Sequence, residues 1–219
     1  REIPAAMRKA ANGQNFTLRN QDVVCVLDHL EKWNKESGHT LAGRLNLSEL
    51  GMSGHSFGAI TTQAVSGQSF PLIGAKFTDP RIKAALVLSP SQPAAGDVTK
   101  AFANVTIPWL LMTGTKDIAN IGGSPIGAAN IESRYAVYPA LPAGNKYELV
   151  LDGAEHSVFT DRALPGESGQ RNPKHHPIIL ALTTAFWDAN LRQDAAAKQW
   201  LDGDAAKAML DEKDRWQHK

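Results

Sequence analysis

The sequence contains a single cysteine, Cys25, so no disulfide bond can form within the chain. The residues around it, 22–30, have the apolar spacing of a helix, and we expect Cys25 to pack there rather than to react. No apolar run reaches the roughly 18 residues that a membrane-spanning helix requires. Basic and acidic residues nearly balance, at 23 and 22, and no basic run stands out. The sequence therefore indicates neither a membrane span nor a nucleic-acid partner.

A serine stands between two glycines in the segment Gly54-His55-Ser56-Phe57-Gly58. This G-x-S-x-G pattern is typical of a nucleophile elbow, a sharp turn from a strand into a helix that exposes the serine hydroxyl. We expect the two glycines to relieve crowding between the strand and the helix. An apolar stretch at 45–52 predicts the strand, and residues 59–65 predict the helix. The pattern and its flanks predict that Ser56 is a nucleophile.

A serine hydroxyl needs a base, and a histidine base needs a carboxylate that holds its tautomer. Asp117 follows the apolar run 107–114, and His156 follows a second apolar run, 147–151. We expect these runs, together with 82–88, to form strands of a parallel sheet. Asp117 and His156 would then lie in loops at the carboxyl ends of their strands, where the Ser56 turn also lies. The sequence therefore predicts that these three side chains meet.

Other residues compete for the same roles. Asp152 or Glu155 could replace Asp117 as the carboxylate, although both lie very close in sequence to His156. His55 adjoins Ser56, but alternation along the strand should point it away, which favours a packing role. The pair at 175–176 lies in a predicted loop without the accompanying ligands of a metal site. The histidines that compete with His156 are His29, His39, His55, His175, His176 and His218.

The chain order of the three residues is informative. Sixty-one positions separate Ser56 from Asp117, and 39 separate Asp117 from His156, in the Ser, Asp, His order of α/β-hydrolases. The sequence resembles this superfamily, and within it the dienelactone-hydrolase-like and acetylhydrolase-like serine esterases. Residues 51–62, 113–117, 153–156 and 184–191 carry the resemblance. Dienelactone hydrolases in the strict sense use cysteine as nucleophile, so the serine here favours a carboxylesterase.

The resemblance implies an α/β-hydrolase fold, a mostly parallel sheet flanked by helices, in a single domain over residues 1–219. It implies that Ser56, Asp117 and His156 are catalytic and that the backbone N–H of Phe57 forms part of an oxyanion hole. It implies hydrolysis of a small-molecule or polymeric ester through an acyl-enzyme, without a metal or cofactor. Two alternatives stay open: a serine peptidase of the prolyl-oligopeptidase type, and a catalytically inactive α/β-hydrolase-like binding module.

Only 55 residues precede Ser56, fewer than the resemblance predicts. We therefore expect the chain to be the carboxy-terminal portion of a longer hydrolase that lacks the amino-terminal strands. The strand before Ser56 would then have an unpaired edge. The second oxyanion donor is expected in the missing amino-terminal segment, which is itself a candidate partner as a separate chain.

Overall fold

The computed structural model describes residues 5–6, 9–118, 130–164 and 166–219, and the other positions of the predicted domain lie outside the described residues. The described part has an α/β fold with a five-stranded sheet in the order β1-β2-β3-β4-β5. The strands are β1 (Leu50–His55), β2 (Ile82–Leu88), β3 (Trp109–Lys116), β4 (Lys146–Glu155) and β5 (Arg215–His218). The helices are α1 (Gly13–Lys35), α2 (Phe57–Val65), α3 (Val98–Phe102), α4 (Ile131–Tyr135), α5 (Val137–Ala140), α6 (His175–Leu191), α7 (Ala195–Asp202) and α8 (Asp204–Lys207), with a 3₁₀ helix at His156–Phe159.

The first four strands pair in parallel, and β5 pairs antiparallel with β4. Parallel strands need crossover connections, which the helices between the strands provide, so both faces of the sheet are covered. This explains why β2, β3 and β4 are long apolar runs. The expectation of a mostly parallel sheet flanked by helices is confirmed.

Side-chain alternation along the strands divides the core between the two faces of the sheet. On β3, Leu110 and Met112 face one cluster, which also contains Phe186 of α6 and Leu201 of α7. Trp109 and Leu111 face the other cluster, with residues of α2, α3 and α5. The Trp109 side chain is fully buried. The central strands therefore give the site a rigid support.

The amino-terminal elements differ from the predictions at their boundaries. The strand before Ser56 begins at Leu50 rather than near residue 45. The reason is a local turn at 46–49, in which the Asn46 side chain bonds to Ser48 and Glu49. Helix α1 begins at Gly13, where Asn12 accepts from the N–H of Asn15. The expected packing of Cys25 is wrong, because this side chain is exposed on α1.

The carboxy-terminal part contains a strand that the sequence did not indicate. Residues 215–218 form β5 and cover the outer side of β4. The Trp216 ring stacks on Tyr147, with ring centroids 5.6 Å apart. The indole Nε1 of Trp216 donates to the carbonyl of Leu201. The His218 ring also packs on Tyr147, with ring centroids 5.8 Å apart, so ring contacts on Tyr147 attach this short strand to the core.

Strand β1 lies at one edge of the sheet. Among the described residues it pairs only with β2. A groove between this edge and α1 is lined by Val23, Leu27 and Met52, among others. The expectation of further amino-terminal strands stays a prediction.

Candidate active site

Ser56 occupies the turn between β1 and α2. Its backbone has φ 60° and ψ −119°, a region that residues other than glycine rarely adopt and that is found where the surrounding structure enforces it. The Ser56 N–H donates to the carbonyl of Leu88 at 3.2 Å, which ties the turn to the end of β2. The Ser56 side chain makes no capping bond to α2, so its hydroxyl is available to other partners.

The two glycines of the turn have different surroundings. A Cβ on Gly54 would lie 2.2 Å from the carbonyl oxygen of Gly58. Only a hydrogen can occupy that position, because strand and helix approach each other directly. A Cβ on Gly58 would meet nothing closer than an Arg19 nitrogen at 4.0 Å. The expectation that both glycines relieve crowding is therefore correct for Gly54 and wrong for Gly58.

The structure brings the three predicted side chains into one hydrogen-bonded chain. The Nε2 atom of His156 lies 2.8 Å from Oγ of Ser56. The Nδ1 atom of the same ring lies 2.6 Å from Oδ1 of Asp117. Because the carboxylate only accepts, Nδ1 carries a proton and Nε2 of the neutral ring is left to accept from the serine hydroxyl.

Asp117 and His156 reach this position from adjacent strands. Asp117 follows directly after β3, as the loop prediction required. Residues 152–155, expected in a loop, instead belong to β4, and His156 begins the 3₁₀ helix that follows it. Strand β4 continues to Glu155 because Gly114 of β3 has no side chain, which lets β4 approach β3 closely. A Cβ on Gly114 would lie 2.1 Å from the carbonyl oxygen of Ala154. This close pairing sets Asp117 beside His156.

The competing carboxylates have other partners. The side chain of Asp152 accepts from Thr115 at 3.2 Å, and that of Glu155 accepts from the N–H of Ser168 at 2.9 Å. The carboxylate that contacts the His156 ring is that of Asp117.

The Asp117 carboxylate is fully buried among donors. Thr113 donates to Oδ2 at 2.7 Å, and an Arg134 nitrogen lies 3.3 Å from Oδ1. Burial by itself raises the pKa of the Asp117 carboxyl. The hydrogen bond from His156 and the charge of Arg134 outweigh that effect and lower the pKa to about 2. Asp117 is therefore an anion at neutral pH.

Arg134 is a site residue that the sequence analysis missed. Its side chain is only 2% exposed and reaches from α4 to the ends of β2 and β3. It donates to the carbonyls of Ser89 and Pro90, to the hydroxyl of Ser91, and to the carbonyl of Asp117. Burial lowers the pKa of Arg134, but a guanidinium stays charged in proteins. Nothing in the surrounding sequence marks this arginine, because its role comes from the fold.

His55 does more than pack. Its Nε2 donates to the backbone carbonyl of His156 at 2.9 Å, and the two rings lie 4.6 Å apart. Burial, together with the neighbouring His156 ring, lowers the pKa of His55 to about 4. His55 is therefore neutral at pH 7 and holds the segment that carries His156.

The other histidines lie in different surroundings. His175 was expected in a loop but is buried at the start of α6, while His176 Nε2 donates to the carbonyl of Val158. His29 bonds to the carbonyl of Cys25 on α1, and His39 stacks on Trp33. His218 lies on β5. His156 is the histidine that contacts Ser56.

The backbone N–H of Phe57 is positioned at the start of α2. Phe57 is the first residue of that helix, so its N–H has no acceptor within the helix. It is adjacent in sequence to Ser56, as a donor to an oxyanion must be. The location of a second donor stays a prediction.

Two further observations concern the described ranges, with their gaps at 1–4, 7–8, 119–129 and 165. Within them, no cluster of three or more His, Cys, Asp or Glu side chains is placed to hold a metal ion. None of the helices there combines the length and the apolar character needed to cross a membrane. A comparison with protein-family models found no match, and a comparison with curated proteins found none either.

Proposed function

We propose that this chain is a serine hydrolase of the α/β-hydrolase type that cleaves carboxylic esters through an acyl-enzyme. The observation that carries the proposal is the hydrogen-bonded chain from Ser56 through His156 to Asp117, at 2.8 Å and 2.6 Å. A nucleophile, a base and a group that orients the base stand within hydrogen-bonding distance in that order. The strained backbone of Ser56 supports the same interpretation.

In the first half of the proposed reaction, Oγ of Ser56 attacks the ester carbonyl carbon. The hydroxyl proton passes to Nε2 of His156 as the new C–O bond forms. The carbonyl oxygen becomes an anion, and the N–H of Phe57 donates to it. The bond to the alcohol oxygen then breaks, and His156 returns the proton to the leaving alcohol. The acyl group stays on Ser56.

In the second half, water takes the place of the alcohol. His156 accepts a proton from the water as its oxygen attacks the acyl carbon. The bond to Oγ breaks, the proton passes from His156 to Ser56, and the carboxylic acid leaves. The resting protonation states return, so the cycle needs no other reactant.

Asp117 supports both halves from the far side of the imidazole ring. As an anion it keeps the proton on Nδ1, so that Nε2 faces Ser56 as an acceptor. It also stabilises the imidazolium that forms in each half. Because Asp117 is buried, its charge acts on the ring with little screening by water.

Reaction with a fluorophosphonate ester, followed by peptide mass spectrometry, tests the proposal. We expect a covalent adduct on Ser56 that disappears in Ser56→Ala. Ser53→Ala is the matched control, since Ser53 is an exposed serine on β1, the strand that leads to Ser56, and it should still give the adduct. An unlabelled wild-type protein, or an adduct elsewhere, would overturn the assignment of Ser56.

A substrate comparison tests the ester class. A p-nitrophenyl ester and an aminoacyl-p-nitroanilide release the same chromophore, so their rates can be compared directly. We expect hydrolysis of the ester to exceed that of the anilide. A preference for the anilide would indicate the peptidase alternative, and inactivity toward both would indicate the binding module.

A further inference from the structure

A cavity of about 200 Å³ lies between the start of α1, helix α2 and the segment that follows β2. The side chains that form its walls are mostly apolar, among them Phe16, Ile60, Phe70, Pro93 and Ala94. The segment after β2 leaves the sheet at its carboxyl end, where Ser56 and Asp117 also lie. Ligands of open α/β sheets bind at that end.

The cavity is close to Ser56 along α2. The N–H of Ile60 donates to the Ser56 carbonyl at 3.4 Å, so the cavity wall includes the first turn of the helix that Ser56 precedes. Ser91, which also lines the cavity, accepts a hydrogen bond from Arg134 at 2.9 Å. The cavity wall is therefore joined to both sides of the candidate active site.

Two of the buried polar residues in the wall, Gln63 and Ser91, are paired with each other. Gln63, which is 1% exposed, accepts from the N–H of Ser91 at 2.9 Å and donates to its carbonyl at 2.8 Å. None of the described residues that line the cavity has an ionisable side chain. The site therefore suits an uncharged, apolar group.

We propose that this cavity binds the acyl chain of the ester, an inference that rests on the proposed function. The leaving oxygen must face Nε2 of His156, which gives it a proton. The cavity is lined by residues of α2, the helix that follows Ser56, and by no residue of the 3₁₀ helix that begins at His156. The acyl chain lies on the other side of the carbonyl carbon from the leaving oxygen, and it is therefore the part of the ester that we assign to the cavity.

The size of the cavity sets the expected chain length. An apolar cavity of about 150 Å³ holds benzene, so about 200 Å³ suits an acyl chain of roughly four to six carbons. Each methylene group buried should raise kcat/KM by about fourfold. We therefore expect kcat/KM to rise from the p-nitrophenyl ester of acetate to that of hexanoate and to stop rising by decanoate.

Two cavity-filling variants test the site from opposite walls. Ile60→Phe fills it from α2, and Ala94→Phe fills it from an exposed segment where misfolding is not expected. In both, the hexanoate-to-acetate ratio of kcat/KM should fall at least tenfold. Leu180→Phe, at a position 68% exposed on α6, is the control and should keep the wild-type ratio.

The outcomes separate this inference from the proposed function. If both filling variants keep the wild-type ratio, or if selectivity follows the alcohol in a series of acetate esters, the acyl assignment is wrong. The fluorophosphonate adduct on Ser56 would still form in that case. If the wild-type protein forms no adduct and hydrolyses no ester, the proposed function and this inference fail together.

Discussion

His55 Nε2 donates a hydrogen bond to the backbone carbonyl of His156 at 2.9 Å. The neighbour of the proposed nucleophile thus holds the segment that carries the proposed base, although about 100 residues of chain separate them. This bond needs a donor at Nε2, which His55 provides as a neutral ring.

His55→Leu removes that donor, and we expect kcat/KM for a short-chain ester to fall on the order of tenfold to a hundredfold because His156 loses its alignment. His55→Gln offers an amide N–H and should recover part of the loss.

The His55 side chain also predicts a pH-dependent contribution to stability. The unfolded side chain of histidine titrates near 6.5 and the folded pKa is about 4. This group therefore stabilises the fold above pH 6.5, and the stabilisation is lost as the pH falls toward 4. Unfolding by urea at several pH values should show a weaker pH dependence over this window in His55→Leu; an unchanged dependence would contradict the assignment.

The two glycines of the Ser56 turn provide a matched pair of substitutions. Gly54→Ala places a methyl group against the Gly58 carbonyl and should destabilise the protein by about 1–3 kcal/mol or more, with loss of fluorophosphonate labelling. Gly58→Ala fits the available space and replaces a glycine within α2, so it should stabilise by about 0.5–1 kcal/mol. Thermal unfolding of both variants checks the contrast. Equal effects would mean that the approach of strand and helix is not as close as described.

Arg134 is expected to act through Asp117 and His156. Its Nη2 lies 3.3 Å from Oδ1 of Asp117, and its positive charge helps to lower the pKa of that carboxyl. In Arg134→Met kcat should fall, and the pKa of Asp117 should rise, so that the loss of stability on acidification begins at higher pH. Arg134→Lys keeps a charge and should stay closer to wild type in both measurements. An arginine that acts only by packing would lower the rate without moving the pH at which stability is lost.

The depressed pKa of Asp117 predicts a pH-dependent contribution to stability. The folded value is about 2, against an ordinary value of 3.8, so the stabilisation is complete above about pH 5 and is lost as the pH falls through about 2. A shift of this size corresponds to about 2 kcal/mol. The difference in free energy of unfolding between wild type and Asp117→Asn should therefore shrink over this interval. Chemical denaturation in a pH series measures it, and a constant difference would show that the carboxylate is not stabilised in the fold.

The sequence was sufficient to predict the elements whose residue pattern is local. The apolar runs 82–88, 107–114 and 147–151 are strands because they are buried on both faces, and a glycine or polar residue marks where each pattern breaks. Ser56, Asp117 and His156 were named because they follow strands in a particular order, and they do lie together. Their chemical roles stay predictions.

The parts that the sequence did not predict depend on tertiary structure. Strand β5 is a four-residue segment of mostly polar residues, and its pairing depends on the packing of Trp216 against Tyr147. Arg134 and His55 became site residues because distant segments present backbone carbonyls to them. The extension of β4 to Glu155 depends on the absence of a side chain at Gly114. None of these contacts leaves a periodic signal in the sequence.

The three residues of the proposed site have unequal support from the sheet. β3 and β4, which lead to Asp117 and His156, pair with neighbours on both sides, whereas β1, which leads to Ser56, pairs on one side in the described part of the chain. Weakly supported segments open before the whole molecule unfolds. Opening of β1 would withdraw the serine hydroxyl and leave the acid and base in contact. Catalytic competence would then follow a local opening equilibrium, and mild denaturant should abolish turnover at concentrations where the buried tryptophans keep their native fluorescence.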